Sequence, residues 1–201
     1  AELDQAAADL LQAEATGQQI GLLSLRFSTL DMDGAYAIQT RLMRAKLAAG
    51  RRIIGWKIGL TSRAMQEALG ITTPDSGILF DDMGFDSGCE IPQGRFIQPR
   101  VEAEIAFVMK APLAGGEITR DAVLAATDYV TPALEILDTR ILRADPVTGQ
   151  RRVITDTISD NAANAGIVTG PARIDPESTD LRWIGSIVSR DGVVEETGLG
   201  A

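Results

Sequence analysis

The sequence predicts an α+β fold, in which an N-terminal helical layer (residues 1–50) precedes a β-rich, mostly antiparallel or mixed core (residues 51–201). Two observations predict it. Apolar residues recur at helical spacing along residues 2–16. From Arg52 onward the pattern changes to short segments rich in β-branched residues and bounded by glycine, which is typical of strands.

The helical layer contains a second predicted helix. Asp31 or Asp33 can cap its N-terminus, and its pattern continues to about Ala49, where Gly50 follows as a stop signal. The next segment, "RIIGWKIGL", predicts the first strand of the core.

Two shorter helices and one irregular stretch are predicted next. Ser62 can cap a helix that ends before Gly70, and Thr119 can cap another over "RDAVLAATDYV". Between them, residues 71–100 are rich in Gly, Pro and Asp. This composition predicts a mobile loop followed by short strands, with a lid over residues 72–83.

The remaining segments predict strands. "RVEAEIAFVM" (residues 100–109) has the pattern of a buried strand, and "TPALEILDTRI" returns to a strand pattern after Pro132. "DTISDNAANAGIVTG" predicts a polar turn or short helix that leads into a strand. The last two strands flank a hairpin turn at Asp191 and Gly192.

Composition limits the classes of function. The formal charge is −9, from 28 acidic and 19 basic residues, so the field of the protein repels nucleic acid. No apolar run reaches the ~18 residues of a membrane span, and the N-terminus is amphipathic and charged, unlike a signal peptide. We therefore expect no membrane partner and a cytoplasmic location.

The chain contains no histidine and a single cysteine, Cys89. This inventory excludes an internal disulfide, a cysteine-cluster metal site and every nucleophile that a histidine activates. Any catalysis must depend on carboxylates, lysine, hydroxyl groups or a hard metal ion.

Glu102 and Glu104 lie two positions apart in the strand pattern of residues 100–109. Side chains alternate between the faces of a strand, so both carboxylates point the same way, with Cα atoms roughly 6.6 Å apart. Ala106 and Val108 continue the same face and indicate that it is partly covered, where a divalent cation would neutralise the acids. The alternative is an exposed strand edge with two solvated acids.

Two further charged residues lie alone in apolar runs. Glu135 in "YVTPALEIL" would complete a set of three carboxylates that selects Mg²⁺ or Mn²⁺, unless it is buried against an arginine such as Arg140. Lys57 in "IIGWKIGL" is flanked by glycines and, if buried, could exchange protons near neutral pH. Its alternative is a lysine at a strand end whose charged group reaches water.

The segments "GWKIGLTSRAMQ", "PDSGILF", "RVEAEIAFVM", "PALEILDTR" and "DTISDNAANAGIVTG" closely resemble the hydratases of aromatic meta-cleavage pathways, in the fumarylacetoacetate hydrolase superfamily. The resemblance covers nearly the whole chain. It implies a fumarylacetoacetate hydrolase-like fold, a homo-oligomer that could associate with a related decarboxylase, and a metal-dependent hydratase that acts on a small dicarboxylate.

The resemblance also implies roles for individual residues. Glu102, Glu104 and Glu135 fall on the magnesium ligands of the family, and Lys57 and Asp75 on its acid and base. Ser159 and Asn161 fall beside the active site, as substrate-binding residues. Without the resemblance, Asp75 would be interpreted as an ordinary turn aspartate.

Alternatives remain within and outside this family. Members continue beyond "VEETG", so we expect a C-terminal part of the core to be missing from the chain. A 2-oxo acid decarboxylase would use a similar set of residues, and a non-catalytic oligomer partner would fail to bind Mg²⁺. A C–C hydrolase of the fumarylacetoacetate type is disfavoured because it relies on a histidine.

Overall fold

The computed structural model describes residues 1–200, with the side chains of all of them except Ala64, Met65 and Leu69. Within these residues the helices are α1 (Glu2–Thr16), α2 (Leu23–Arg26), α3 (Met32–Ala48), α4 (Arg63–Leu69), α5 (Arg120–Ala126) and α6 (Ile154–Ser159). The strands are β1 (Ile53–Gly59), β2 (Asp75–Phe80), β3 (Gly84–Asp86), β4 (Arg100–Met109), β5 (Thr127–Leu137), β6 (Asn164–Thr169), β7 (Gly185–Arg190) and β8 (Val193–Leu199). The predicted mixture of helices and sheets is confirmed.

The described strands form three sheets. β1 and β2 make an antiparallel pair, β7 and β8 make another, and the four-stranded sheet has the order β3-β6-β5-β4. The turn between β7 and β8 contains Asp191 and Gly192 with φ of 52° and 80°, as the predicted hairpin requires.

The chain forms two compact units. The first contains Ala1–Gly84, Glu90–Arg100 and Ile136–Gly166, and the second contains Phe85–Cys89, Val101–Glu135 and Ile167–Ala201. The predicted boundary at residue 50 separates helices from strands, whereas these units are defined by packing, so the two divisions describe different properties.

The core of the first unit explains why its helices form. Leu10 of α1 and Ile38 of α3 are fully buried in one apolar cluster, to which Ile141 contributes from far along the chain. Burying each of these side chains contributes about 1.5–3 kcal/mol. Asp31 caps α3 by accepting a hydrogen bond from Gly34 N at 2.8 Å, which confirms one of the two predicted caps.

A buried ion pair also lies in the first unit. The guanidinium of Arg140 donates to the carboxylate of Asp160, and the Arg140 N–H donates to the same carboxylate at 2.8 Å. Burial disfavours the charge of Arg140, but the nearby carboxylates, Asp160 foremost, outweigh that effect and raise its pKa. This pair fixes the turn at the C-terminal end of α6.

The prediction of a mobile loop was wrong for residues 75–80. These residues form β2, every residue of which except Ser76 is buried, and they pair with β1 from Asp75 to Phe80. The Pro-Asp-Ser-Gly segment resembles a turn locally, but the partner strand and the apolar Ile78–Phe80 segment override that local preference. The predicted lid over residues 72–83 therefore does not exist as a loop across β2.

The strand at residues 100–109 is confirmed as β4, but the prediction that it is buried was wrong. Its pattern of burial is mostly exposed, and Val101, Phe107 and Met109 remain 41–53% exposed. Ala106 and Val108 are half-buried, whereas Glu102 and Glu104 are exposed. An apolar run therefore predicts a strand more reliably than it predicts that the strand is buried.

Two expectations about the chain as a whole concern membranes and the C-terminus. Among the described residues, no helix has both the length and the apolar character needed to cross a bilayer. That a C-terminal part of the core is missing stays a prediction.

Candidate active site

Three carboxylates meet in the second unit. Glu102 and Glu104 project from β4, and Glu135 projects from β5, the neighbour of β4 in the four-stranded sheet. One carboxylate oxygen from each lies within 4.8 Å of the others. Glu135 is 6% exposed, while the two glutamates of β4 are exposed.

This arrangement follows from strand geometry. Residues two apart on β4 share a face, and a side chain on the adjacent strand can reach the same point between them. The donor set consists of carboxylate oxygens alone, which suits a hard divalent cation. The two exposed members leave one side of the cluster open to solvent, where water and a substrate can approach.

Lys57 and Asp75 form a second group, in the first unit. Both lie on the antiparallel pair of β1 and β2, which we call the hairpin although its connection contains α4. The Lys57 Nζ is 3.8 Å from the Asp75 Oδ1. Their side chains are 12% and 4% exposed, respectively. Oδ1 of Asp75 is buried, and the ammonium group of Lys57 faces it at a distance too long for a direct hydrogen bond.

Burial raises the pKa of Asp75 above its ordinary value of 3.8. The charge of Lys57 and a hydrogen bond from the backbone of Gly59 act in the opposite direction but do not cancel the effect. A carboxyl group with a raised pKa exchanges protons closer to neutral pH, which suits general acid and base chemistry.

Gly59 makes the pairing of these two groups sterically feasible. It lies opposite Asp75 in the hairpin register. A Cβ at this position would overlap the Asp75 carboxylate and would lie 2.9 Å from the Lys57 Nζ. Of the two glycines that flank Lys57, Gly59 is thus the one at which a side chain would clash, whereas a Cβ on Gly55 would make ordinary contact with Leu79 at 3.6 Å.

Ser159 and Asn161 lie in the first unit, at the end of α6 and in the turn that follows it. Ser159 is fully buried, and its Oγ donates to Thr155 O at 2.8 Å. The Asn161 amide accepts from Ile78 N at 2.8 Å and donates to Ile78 O at 2.9 Å. That these two residues contact a substrate stays a prediction.

The turn at residues 161–163 has an uncommon backbone. Asn161, Ala162 and Ala163 have φ of 53°, 53° and 57°, and all three residues are buried. Each left-handed non-glycine residue costs roughly 1–2 kcal/mol, and such conformations persist where the surroundings enforce them. The turn packs against Gly77 of β2, where a Cβ would lie 2.5 Å from Asn161 O.

Sequence reasoning missed the residues that hold β2. Gln39 of α3 donates to Ser76 O at 2.8 Å, and Asn164 donates to Ile78 O at 3.2 Å. No local signal marks Gln39, whose partners lie 37 and 119 residues away. By charge alone, the sequence offers three arginines for the distal carboxylate of a substrate: Arg140, Arg151 and Arg152. Arg140, which the sequence also allows as a partner of Glu135, is engaged by Asp160.

Curated proteins similar in sequence to this chain include hydratases. The chain is 50% identical over 190 residues to the 2-oxo-hept-4-ene-1,7-dioate hydratase of Escherichia coli, covering 94% of this chain and 71% of that protein. It is 39% identical over 194 residues to a 2-hydroxypent-2,4-dienoate hydratase of Pseudomonas putida, covering 96% and 85%. No protein-family model matches the chain.

A solved structure has the same fold. The 4-oxalocrotonate decarboxylase from Pseudomonas putida G7, complexed with magnesium and adipate, matches with a TM-score of 0.89 and 33% sequence identity. The match covers 99% of this chain and 73% of that chain. The identities and the coverage together show that this chain belongs to the hydratases of aromatic meta-cleavage catabolism, hydro-lyases with a fumarylacetoacetate hydrolase-like fold.

Proposed function

We propose that this hydratase adds water to 2-hydroxy-hepta-2,4-diene-1,7-dioate, in the homoprotocatechuate branch of meta-cleavage catabolism, and that it depends on Mg²⁺ or Mn²⁺. This substrate is the dienol tautomer of the 2-oxo-hept-4-ene-1,7-dioate that the name of the Escherichia coli relative contains. The cation is supported by the magnesium in the decarboxylase complex, although another complex of the same decarboxylase contains calcium.

The observation that carries the proposal is the convergence of Glu102, Glu104 and Glu135 within 4.8 Å. Three carboxylates so close together repel one another unless a cation neutralises them. We infer that all three ligate the cation. When bound, a divalent cation supplies a Lewis acid toward the oxygens of a 2-oxo or 2-hydroxy acid.

Lys57 and Asp75 are proposed as the acid and base. One of them removes the proton from the 2-hydroxyl group of the dienol, and a proton is delivered to C5, which leaves a C3=C4 double bond conjugated to a 2-oxo group. Water then adds across that bond, with its hydroxyl group at C4 and a proton at C3. The raised pKa of Asp75 supports its part in these transfers, and burial of both side chains limits leakage of protons to solvent.

Ser159 is proposed as a substrate contact. Its hydroxyl group donates to Thr155 O, so its oxygen keeps acceptor capacity for a ligand donor. Arg151 and Arg152 remain candidates for the distal carboxylate; Arg152 is half-buried, and its Nη1 has no hydrogen-bond partner among the described residues.

A 2-oxo acid decarboxylase of the 4-oxalocrotonate type is the second candidate, because the solved structures reported for that enzyme share this fold. A homo-oligomer, an association with a related decarboxylase, and a non-catalytic role in such an assembly are also proposals. An exposed apolar face on β1 supports association: Ile54, Trp56 and Ile58 are 54%, 65% and 53% exposed.

The reaction can be tested with the dienol generated in situ. With Mg²⁺ present, we expect its absorbance to decay and the product mass to increase by one water, and we expect EDTA to abolish the decay. Release of CO₂ would instead assign the decarboxylase reaction. Absence of turnover with bound Mg²⁺ would contradict both catalytic candidates.

The metal site can be tested without turnover. Glu135→Gln should weaken Mn²⁺ binding by at least about 10–100-fold, the loss that removing even an outer partner of a metal ligand causes. Glu117→Gln is the control, because Glu117 is an exposed glutamate of the same unit outside the cluster. Calorimetric titration measures both variants, and equal affinities for Glu135→Gln and the wild type would exclude Glu135 as a ligand.

The Lys57–Asp75 pair can be tested through the glycines of β1. Gly59→Ala should lower kcat/KM by about 100-fold or more, because its methyl group occupies the space of the Asp75 carboxylate and displaces a reacting group. Gly55→Ala adds the same methyl group at ordinary contact distance and should retain wild-type kinetics. Equal activity of the two variants would exclude the pair from the reaction.

A further inference from the structure

Strand β2 has a strand partner on one edge only. β1 pairs with it from Asp75 to Phe80, and the described residues add no third strand to this sheet. The second edge of a strand carries backbone N–H and C=O groups that need partners when they are buried. Since β2 is buried except at Ser76, other groups must satisfy this edge.

Side-chain amides occupy the second edge. The Asn161 Oδ1 accepts from Ile78 N at 2.8 Å, and the Asn161 Nδ2 donates to Ile78 O at 2.9 Å. One carboxamide thus reproduces the donor and acceptor that a neighbouring strand would present. Gln39 also binds this edge, because its Nε2 donates a hydrogen bond to Ser76 O at 2.8 Å.

The Asn161 turn touches the same point of β2 as the lysine stem. Gly77 lies between Ser76 and Ile78 and pairs with Lys57 in the hairpin register. A Cβ on Gly77 would lie 2.5 Å from Asn161 O and 3.3 Å from the Lys57 Cγ. A shift of this turn would therefore act on β2, the strand that carries Asp75 and pairs with the strand of Lys57.

The identity of residue 161 satisfies two requirements together. Its φ of 53° lies in the left-handed region, where asparagine is enriched among non-glycine residues. Its amide is 97% buried and has both of its ends engaged by one residue, Ile78. These contacts make Asn161 a brace on β2, that is, a side chain that holds the strand in place, and they leave its amide little capacity for a substrate.

We propose that Asn161 is a positioning residue: its carboxamide closes the second edge of β2 at Ile78 and thereby holds Asp75 at its working distance from Lys57. This inference rests on the proposed function, because it assigns Asn161 to the same proton transfer. It is an alternative to the predicted role of Asn161 as a substrate-binding residue, and the experiment below distinguishes the two roles.

Two variants of Asn161 separate the effect of its carboxamide on β2 from the effect of the left-handed backbone of the turn. Asn161→Gly removes the carboxamide, and glycine tolerates the left-handed φ. Asn161→Asp keeps the acceptor for Ile78 N but loses the donor to Ile78 O. The matched control is Gln19→Leu, because the Gln19 amide also bridges backbone carbonyls in the first unit, at Thr139 and Ile141, away from the hairpin.

We expect kcat of Asn161→Gly to fall about 10–100-fold, the effect of misplacing a reacting group, while KM stays near the wild-type value. Hydrogen exchange of the peptide that contains the Ile78 amide should accelerate in this variant. Asn161→Asp should lose less activity, and Gln19→Leu should resemble the wild type in both measurements.

Two outcomes would overturn the proposal. If Asn161→Gly raises KM and leaves kcat unchanged, Asn161 is a substrate contact. If Asn161→Gly keeps the wild-type kcat although hydrogen exchange at Ile78 accelerates, Asn161 holds β2 but does not influence the reaction. If Asn161→Gly fails to fold, the kcat of Asn161→Asp decides, and a wild-type value overturns the proposal. An inactive wild type would refute the proposed function instead, while exchange at Ile78 would still show whether Asn161 holds β2.

Discussion

The burial of a lysine and an aspartate on one two-stranded hairpin is the constraint on which the first unit depends. Charged groups are costly to bury unless they are paired, and a hairpin of two strands is marginally stable by itself. The structure satisfies both conditions locally. Gly59 provides space where Lys57 and Asp75 approach, and side-chain amides complete the edge of β2 that lacks a partner strand.

The carboxylate cluster of the second unit depends on a different constraint, the alternation of side chains along strands. Two glutamates share a face of β4, and β5 supplies the third from beside them. The cluster is proposed to hold a cation that stabilises negative charge on the substrate, and the hairpin is proposed to move protons.

Local patterns marked Lys57 and the three glutamates, because each of these signals lies within a short stretch of chain, whereas Asp75 was assigned only through the family resemblance. The spacing of Glu102 and Glu104, the isolation of Glu135 and the glycines beside Lys57 are visible within ten residues. Strand β2 was missed because "PDSG" has turn propensity and its pairing with β1 is not local. The engagement of Asn161 with Ile78 spans 83 residues, and no propensity encodes a left-handed turn of Asn161, Ala162 and Ala163.

The central claim is that Asp75 is buried against Lys57, and titration of the Asp75 carboxyl carbon by NMR tests it most directly. The account predicts a pKa above 3.8 in the wild type, because burial outweighs the charge of Lys57. In Lys57→Met the pKa should rise further, since the opposing charge is removed. A pKa at or below 3.8 that does not change in Lys57→Met would contradict the account.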